Sequence, residues 1–450
     1  MRIPSPPPTR IPSPPGRLPV IGHSLSLMRD PLAFMESLRP YGDVVRVSIG
    51  RLPVYVVTSS SLVHHLLVAE AGNVEKGKLF DKVRPLIGNG VFTSNGAFHM
   101  RQRRLLQPAF HRDRIAGYTR VMSEETARRA GEWRPQQVLD VQRELFDLTL
   151  KIIAATLFAT DHAREVVAEF QRNFPRIVAG IGWRTIAPTP LAERLPVPAN
   201  RRFDEATRGL RRAIHETIAR YRADGRDHGD ILSMLLAAKD ERTGEGMSDE
   251  EIHDEVIALL VGGTESTALT LSWLFYELGR HPELEARLHA EIRTVLGDRQ
   301  IGFEDVGEMT FVRALITETL RLHHPIWIVM RRARSPIDLG GVRIPRGAEI
   351  VFSPHTQQLD PDLFPEPHRF VPGRWLSSSA PVPRECFLPF GAGRRVCLGD
   401  AFAWTEMTVT VTTIAAHWSL TPAPGSRVRP LALATVYPRD LRMVLDPRPQ

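Results

Sequence analysis

The sequence predicts a mainly α-helical fold with small β-sheets. Three observations carry this: apolar residues at helical spacing from about residue 114 through most of the chain, Pro- or Gly-containing breaks between those runs, and β-rich stretches that are all short. At 450 residues, with 37 Pro and 32 Gly, the chain can bury a large core and must turn often.

Met1 to Pro19 alternates proline with Ser, Arg and Ile. Proline lacks a backbone donor and disfavours helix in its neighbour, so residues 1–19 are expected to form a poorly ordered tail and residues 20–450 the folded domain. Val44 to Ile49 and Val54 to Val57, joined around Gly50 and Arg51, read as a hairpin. Helices are expected over about 114–133, 140–158, 164–181, 200–223, 248–280, 282–296, 308–323 and 398–417. Ser248 and Glu251 have capping-box spacing, which starts the longest of these, and His281-Pro282 ends it. Short strands are expected at Ile337 to Leu339, Ile350 to Phe352 and around Met443.

Nothing near the start is apolar for long enough to be a signal or a span, and the run Val256 to Val261 is stopped by Gly262 and Gly263. No membrane anchor and a cytoplasmic location are therefore expected. Cys386 and Cys397 are too few for a disulfide framework, a four-thiolate zinc site or a protein-held iron–sulfur cluster, which points to a reducing compartment. The net charge of +7 rests on arginine, clustered at Arg101, Arg103, Arg104 and at Arg394, Arg395. Such clusters can bind the carboxylates of a cofactor, an acidic protein or nucleic acid. No nucleic-acid-binding motif accompanies them, so nucleic acid is not expected as a partner.

Phe390-Gly391-Ala392-Gly393-Arg394-Arg395-Val396-Cys397-Leu398-Gly399 places a lone thiol after a glycine-permitted turn and just before a helix. Glycines let the backbone approach a flat cofactor, and a helix N-terminus favours an anionic sulfur. A thiolate so placed is a competent iron ligand. The segment resembles the haem-binding loop of the cytochrome P450 family, Phe-Gly-x-Gly-x-Arg-x-Cys-x-Gly, and meets every fixed position. The resemblance implies haem b with Cys397 as axial iron ligand, Phe390 beside the sulfur and Arg395 at a haem propionate. It also implies a single-domain fold of that family and dioxygen as co-substrate, with thiolate electron donation favouring O–O cleavage. Cys386 matches no motif and reads as structural.

Other segments agree with this resemblance. Glu318 and Arg321 share a helix face, a spacing that alone signals only a surface ion pair. With Arg374 of Phe370-Val371-Pro372-Gly373-Arg374, they resemble the family's buried network that supports the cysteine loop. His99 and Arg103, one helical turn apart, are similar to its Trp/His-x-x-x-Arg pair at a propionate. Arg332 stands where the family has another propionate arginine, with neighbouring Arg331 as the alternative.

Gly262-Gly263-Thr264-Glu265-Ser266-Thr267 places an acid and hydroxyls after an apolar run, where a structural core would prefer aliphatics. Hydroxyls there can bond back to the preceding turn and bend the helix; the alternative is a simple bend with a solvated Glu265. The segment resembles the family's oxygen-activating stretch, with Glu265 in the acid position and Ser266 where threonine is usual. Thr267 lies about 100° further round the helix.

The resemblance implies a monooxygenase fed from NADPH or NADH by a separate ferredoxin and ferredoxin reductase. An arginine-rich face at Arg103, Arg104 and Arg112 is the expected docking surface for the acidic partner. The substrate is expected to be an apolar small molecule, since the candidate pocket residues Phe80, Phe92, Leu260, Ile326, Trp327, Ile328 and Val436 include no charged anchor. The segment from Trp327 through Arg332 to Leu339-Gly340-Gly341 also resembles actinobacterial sesquiterpene-oxidising members, which suggests a terpene hydroxylase of antibiotic biosynthesis, acting in one or several steps. Fatty acids, polyketides and steroids are the alternative substrates. A non-catalytic haem-thiolate sensor or ligand store, and a peroxide-using enzyme or isomerase, are the competing classes. The protein is expected to be a monomer.

Overall fold

The computed structural model describes residues 11–158, 163–186, 198–376 and 382–448. The chain forms two compact units: one from Met1–Asp81, Leu320–Val371 and Ser377–Cys397, the other from Lys82–Thr319, Pro372–Leu376 and Leu398–Gln450.

The first unit is built on a five-stranded sheet. Its strands are β1 (Val44–Ile49), β2 (Leu52–Val57), β3 (Val74–Lys76), β4 (Val329–Ala333) and β5 (Glu349–Phe352), in spatial order β1-β2-β5-β4-β3. β1 and β2 form the expected hairpin, β2 runs parallel to β5, and the other pairs are antiparallel. Alternation along β2 and β5 drives Tyr55, Val57, Ile350 and Phe352 into one core with Val63, Leu66 and Leu67 of helix Ser60–Val68. Of the expected tail, residues 1–10 lie outside the described residues. Residues 11–19 are tied down: the Pro12 carbonyl accepts from Arg46 N at 2.8 Å and Ile11 packs on the sheet core. Proline has lost its donor but keeps an acceptor, which the outer edge of β1 uses.

The second unit is helical. The expected helices appear as Arg112–Gly131, Val141–Leu157, Ala163–Ile186, Pro198–Asp224, Asp249–Leu278, Pro282–Leu296, Thr310–Leu322 and Asp400–His417, the seventh running on into the first unit. The long helix Asp249–Leu278 starts at the predicted capping box, with Glu251 N donating to Ser248 Oγ at 3.2 Å and Ser248 N to Glu251 Oε2 at 2.9 Å. It packs against Val141–Leu157 and Pro198–Asp224. By length and composition it could cross a membrane, yet 72% of its apolar window is buried inside the protein, so it is a core helix. Strand Arg442–Pro447 pairs with Trp418–Pro422 and Val138–Asp140, and Arg429–Ala432 pairs with Val436–Arg439 as a hairpin.

Within this unit Glu318 is fully buried. Its carboxylate accepts from Arg374 Nε at 3.1 Å and Trp375 Nε1 at 2.8 Å. In the first unit the equally buried Arg321 donates to the carbonyls of Gln358 at 3.0 Å, Pro367 at 2.7 Å and Arg369 at 3.0 Å. Glu318 thus holds the turn Pro372–Trp375, and Arg321 holds the main chain at Gln358, Pro367 and Arg369. Glu318→Ala would remove the carboxylate that a partly buried guanidinium and an indole N–H donate to. The expected result is a loss of about 3 kcal/mol of stability, read as a lower urea midpoint; an unchanged midpoint would remove Glu318 from this role.

Candidate active site

The cysteine loop belongs to the first unit. Cys397 N donates to Phe390 O at 2.9 Å and Val396 N to Gly393 O at 3.1 Å, closing a tight turn with a single 3₁₀ turn at Gly393–Arg395. Gly393 has φ +67°, and a Cβ there would lie 2.1 Å from the Leu67 carbonyl oxygen, so only glycine lets the loop sit on helix Ser60–Val68. Phe390 is half-buried, Cys397 is exposed, and neither cysteine is in a disulfide.

Three cations of the same unit lie within electrostatic reach of one another. Burial, then Arg395, push the Arg331 guanidinium down to about 10. Burial pushes Arg395 to about 10, with Glu75 in partial opposition. Burial, then Arg331 and Arg395, hold the Lys76 ammonium well below the ordinary lysine range.

Strand pairing decides which arginine joins this cluster. Cross-strand partners share a sheet face, and β3 pairs with β4 so that Lys76 stands opposite Arg331 and Glu75 opposite Arg332. The sequence pattern points to Arg332 at a propionate. Its guanidinium is instead engaged by Glu349 at 2.7 Å and Asp81 at 2.9 Å, while Arg331 is 5% exposed and on the cationic side.

A thiol on a glycine turn and a group of cations whose charges mutually disfavour one another fit a haem. The sulfur suits iron, and the cations suit the cofactor's carboxylates. When bound, that group supplies dioxygen activation.

In the second unit, Glu265 is 8% exposed and therefore not the solvated acid of the simple-bend reading. Its Oε1 accepts from Thr435 Oγ1 at 3.0 Å and from the Tyr437 hydroxyl. Burial pushes its carboxyl up to about 7 against the opposing Thr435 bond. Ser266 Oγ donates to Gly262 O at 3.0 Å, the back-bond anticipated from sequence, yet the helix stays α-helical from Asp249 to Leu278. Thr267 is buried at 3% on another face.

His99 and Arg103 lie on helix Gly96–Leu106, where His99 is buried with Nδ1 3.0 Å from Val91 O and Arg103 is half-buried. Of the arginines expected to attract an acidic partner, Arg104 is bonded at 2.6 Å to the buried carboxylate of Asp240, and Arg112 sits over the Phe303 ring. Arg104 is thus neutralised inside the fold.

The pocket candidates divide by burial. Leu260 and Val436 are fully buried, Trp327 is 8% exposed, Phe80, Ile326 and Ile328 are half-buried, and Phe92 is 41% exposed. A small apolar cavity that sequence reasoning missed is lined by Phe170, Phe174, Leu210, Ile257 and Val261, on three helices of the second unit. Missed as well were Lys76, Thr435 and Tyr437, none of which lies in a recognisable motif.

Comparison with known proteins places this geometry in a family. The profile of the cytochrome P450 family matches residues 12–440. The chain is 43% identical to cyclooctatin synthase of Streptomyces melanosporofaciens over 96% of its own length and 95% of that protein. It is 42% identical to cyclooctat-9-en-7-ol 5-monooxygenase of the same organism, over 96% and 95%. Pentalenene oxygenase of Streptomyces avermitilis is 40% identical, over 96% and 97%.

Two variants test the site. Gly393→Ala combines a left-handed backbone with a collision against main chain, so the purified variant should lose most of its haem, measured as the haem-to-protein absorbance ratio. A wild-type ratio would contradict the close approach. For Glu265, the folded carboxyl holds a proton that the unfolded one releases, so stability falls as pH rises from the ordinary glutamate range through about 7 and then levels. Glu265→Gln keeps an acceptor for both hydroxyls and removes the titration. Relative to wild type it should gain up to about 3 kcal/mol between about pH 5 and about pH 8; a flat difference would mean that Glu265 ionises normally.

Proposed function

The chain belongs to the cytochrome P450 family, and from that premise we propose that its substrate is a terpene, hydroxylated in one or successive steps during secondary-metabolite biosynthesis such as that of an antibiotic. It is a monooxygenase that uses haem b and dioxygen, with electrons drawn from NADPH or NADH through redox partners. The observation that carries the substrate reading is identity of 40–43% over 96% of the chain to proteins named for pentalenene and cyclooctat-9-en-7-ol oxidation.

In this reading each residue has a task set by its surroundings. Cys397 ligates iron and the glycine turn holds its backbone. Arg331, Arg395 and Lys76 would take one of the cofactor's carboxylates, with Arg332 an ion-pair residue on the other face of β4. His99 and Arg103 serve another carboxylate, and Phe390 shields the sulfur. Glu265 holds a proton near neutral pH, and its two hydroxyl partners can turn to accept or donate. Ser266 Oγ, anchored on Gly262 O, retains lone pairs with which to take a proton. The redox partners are read as a ferredoxin and its reductase, and the protein as a cytoplasmic monomer.

A sensor or ligand store would need Cys397 but would have no use for a buried acid poised near neutrality. Product formation driven by NADPH with a surrogate ferredoxin and reductase separates the two classes. Ser266→Ala should lower product per NADPH by about tenfold; an unchanged yield would end the proton-relay assignment. In a spectral titration of the purified haem protein, terpenes should bind at about micromolar concentration and ahead of fatty acids and steroids. The reverse order would overturn the substrate reading.

A further inference from the structure

Outside the site just described, the second unit brings His215, Glu250 and His253 together, with one ligating atom from each lying within 4.8 Å of the other two. His215 comes from helix Pro198–Asp224, and Glu250 and His253 from the first turns of Asp249–Leu278. The two imidazole rings stack, with centroids 4.6 Å apart and planes 10° from parallel.

His253 is the residue that a structural role leaves unexplained. Its side chain is fully buried, its Nδ1 lies 3.1 Å from Asp254 Oδ1, and its Nε2 is buried without a hydrogen bond. A buried ring nitrogen without a partner has lost its hydration with nothing in exchange, which packing alone gives no reason to accept. Asp254 on Nδ1 fixes the tautomer that leaves a lone pair on Nε2, the arrangement in which an outer carboxylate orients a metal-ligating histidine.

We propose that His215, Glu250 and His253 bind one divalent transition-metal ion, of which zinc is the best match. Two imidazoles and one carboxylate suit that borderline cation and leave a fourth position for water. Tetrahedral donors around zinc stand about 3.3 Å apart, so the group must close by roughly 1.5 Å. His215 is half-exposed and the Glu250 side chain is 64% exposed, so rotation of these two side chains supplies the movement. Glu250 offers Oε1, which lies 3.5 Å from His215 Nε2, while its Oε2 is held by Arg211. That guanidinium opposes the incoming cation and sets the affinity at about micromolar rather than at the level of a structural zinc.

Occupancy would clamp two helices that both wall the apolar cavity, through Leu210 on one and Ile257 on the other. The clamp extends to the loop after residue 87, because Asp254 also accepts from Asn89 N at 2.7 Å. Gly88 sits so close to that carboxylate, at φ +73°, that a Cβ would overlap it.

The test is zinc titration of untagged, chelator-washed holoprotein by calorimetry and by metal analysis, with haem absorbance confirming the fold of every variant. The expected result is one equivalent bound at about micromolar Kd, a higher melting temperature with zinc, and at least tenfold weaker binding in both His215→Ala and Glu250→Gln. Because the buried His253 could be needed for folding, those two more exposed positions decide the outcome and His253→Gln is the third arm. No saturable equivalent, or one that His215→Ala and Glu250→Gln leave unchanged, overturns the proposal.

Discussion

The gathering of Lys76, Arg331 and Arg395 is the constraint on which the cofactor end of the molecule depends. Burial shifts all three groups toward their neutral forms, and neighbouring cations add to the shift of Lys76 and Arg331. A fold that wanted only stability would turn Asp81 and Glu349 toward them. It turns those carboxylates to Arg332 instead. The two-residue period of β3 and β4 makes the separation, with Arg332 facing Glu75 on one side and Lys76 facing Arg331 on the other. The cysteine loop carries Arg395 to that face because Gly393 lets it lie on the helix Ser60–Val68 backbone.

The second unit solves a different problem, which is how to keep acids inside an apolar helix. Glu251, Asp254 and Glu255 occupy successive near-neighbour positions on one side of Asp249–Leu278 and hold nearby segments. Glu251 Oε1 accepts from Arg101 at 2.7 Å and Gln102 at 3.0 Å; Asp254 and Glu255 accept from the backbone of Asn89 and Val91. These carboxylates fasten the stretch before and into helix Gly96–Leu106, on which His99 and Arg103 stand. Glu265 lies about 80° round the helix from Glu255 and meets another strand altogether. One helix therefore serves as a fastening on one side and a reactive edge on another.

Local signals make most of this legible in the sequence. Helix periodicity, the Ser248 capping box and the hairpin at Gly50 are properties of neighbouring residues, and the structure shows them close to where the sequence puts them. The cysteine loop is readable for the same reason. What escapes are contacts between distant segments. Lys76 sits in a three-residue strand without a motif, and only the register with β4 reveals that it faces Arg331 and not Arg332. Thr435 and Tyr437 lie 170 and 172 positions from the acid they hold. Residues 11–19 are held against β1 where composition suggests a loose tail, because composition reports proline's missing donor but not the acceptor that β1 uses.

The long helix contains two buried acids whose pKa values are raised, and their partners explain why only one suits proton handling. Glu255 is pushed up to about 8 by burial, and both its oxygens are reached by Val91 N, at 2.8 and 2.9 Å. An amide N–H only donates, and it is fixed in the main chain. Whether Glu255 is charged or neutral, that contact has nowhere to pass a proton. Glu265, pushed to about 7, meets two hydroxyls, each of which can donate to the carboxylate and accept from the carboxylic acid by rotating one bond. Burial of similar depth thus yields a clasp at one position and a switchable proton store at the other. The difference lies in the chemistry of the groups packed against each acid, more than in the acid or the size of its shift.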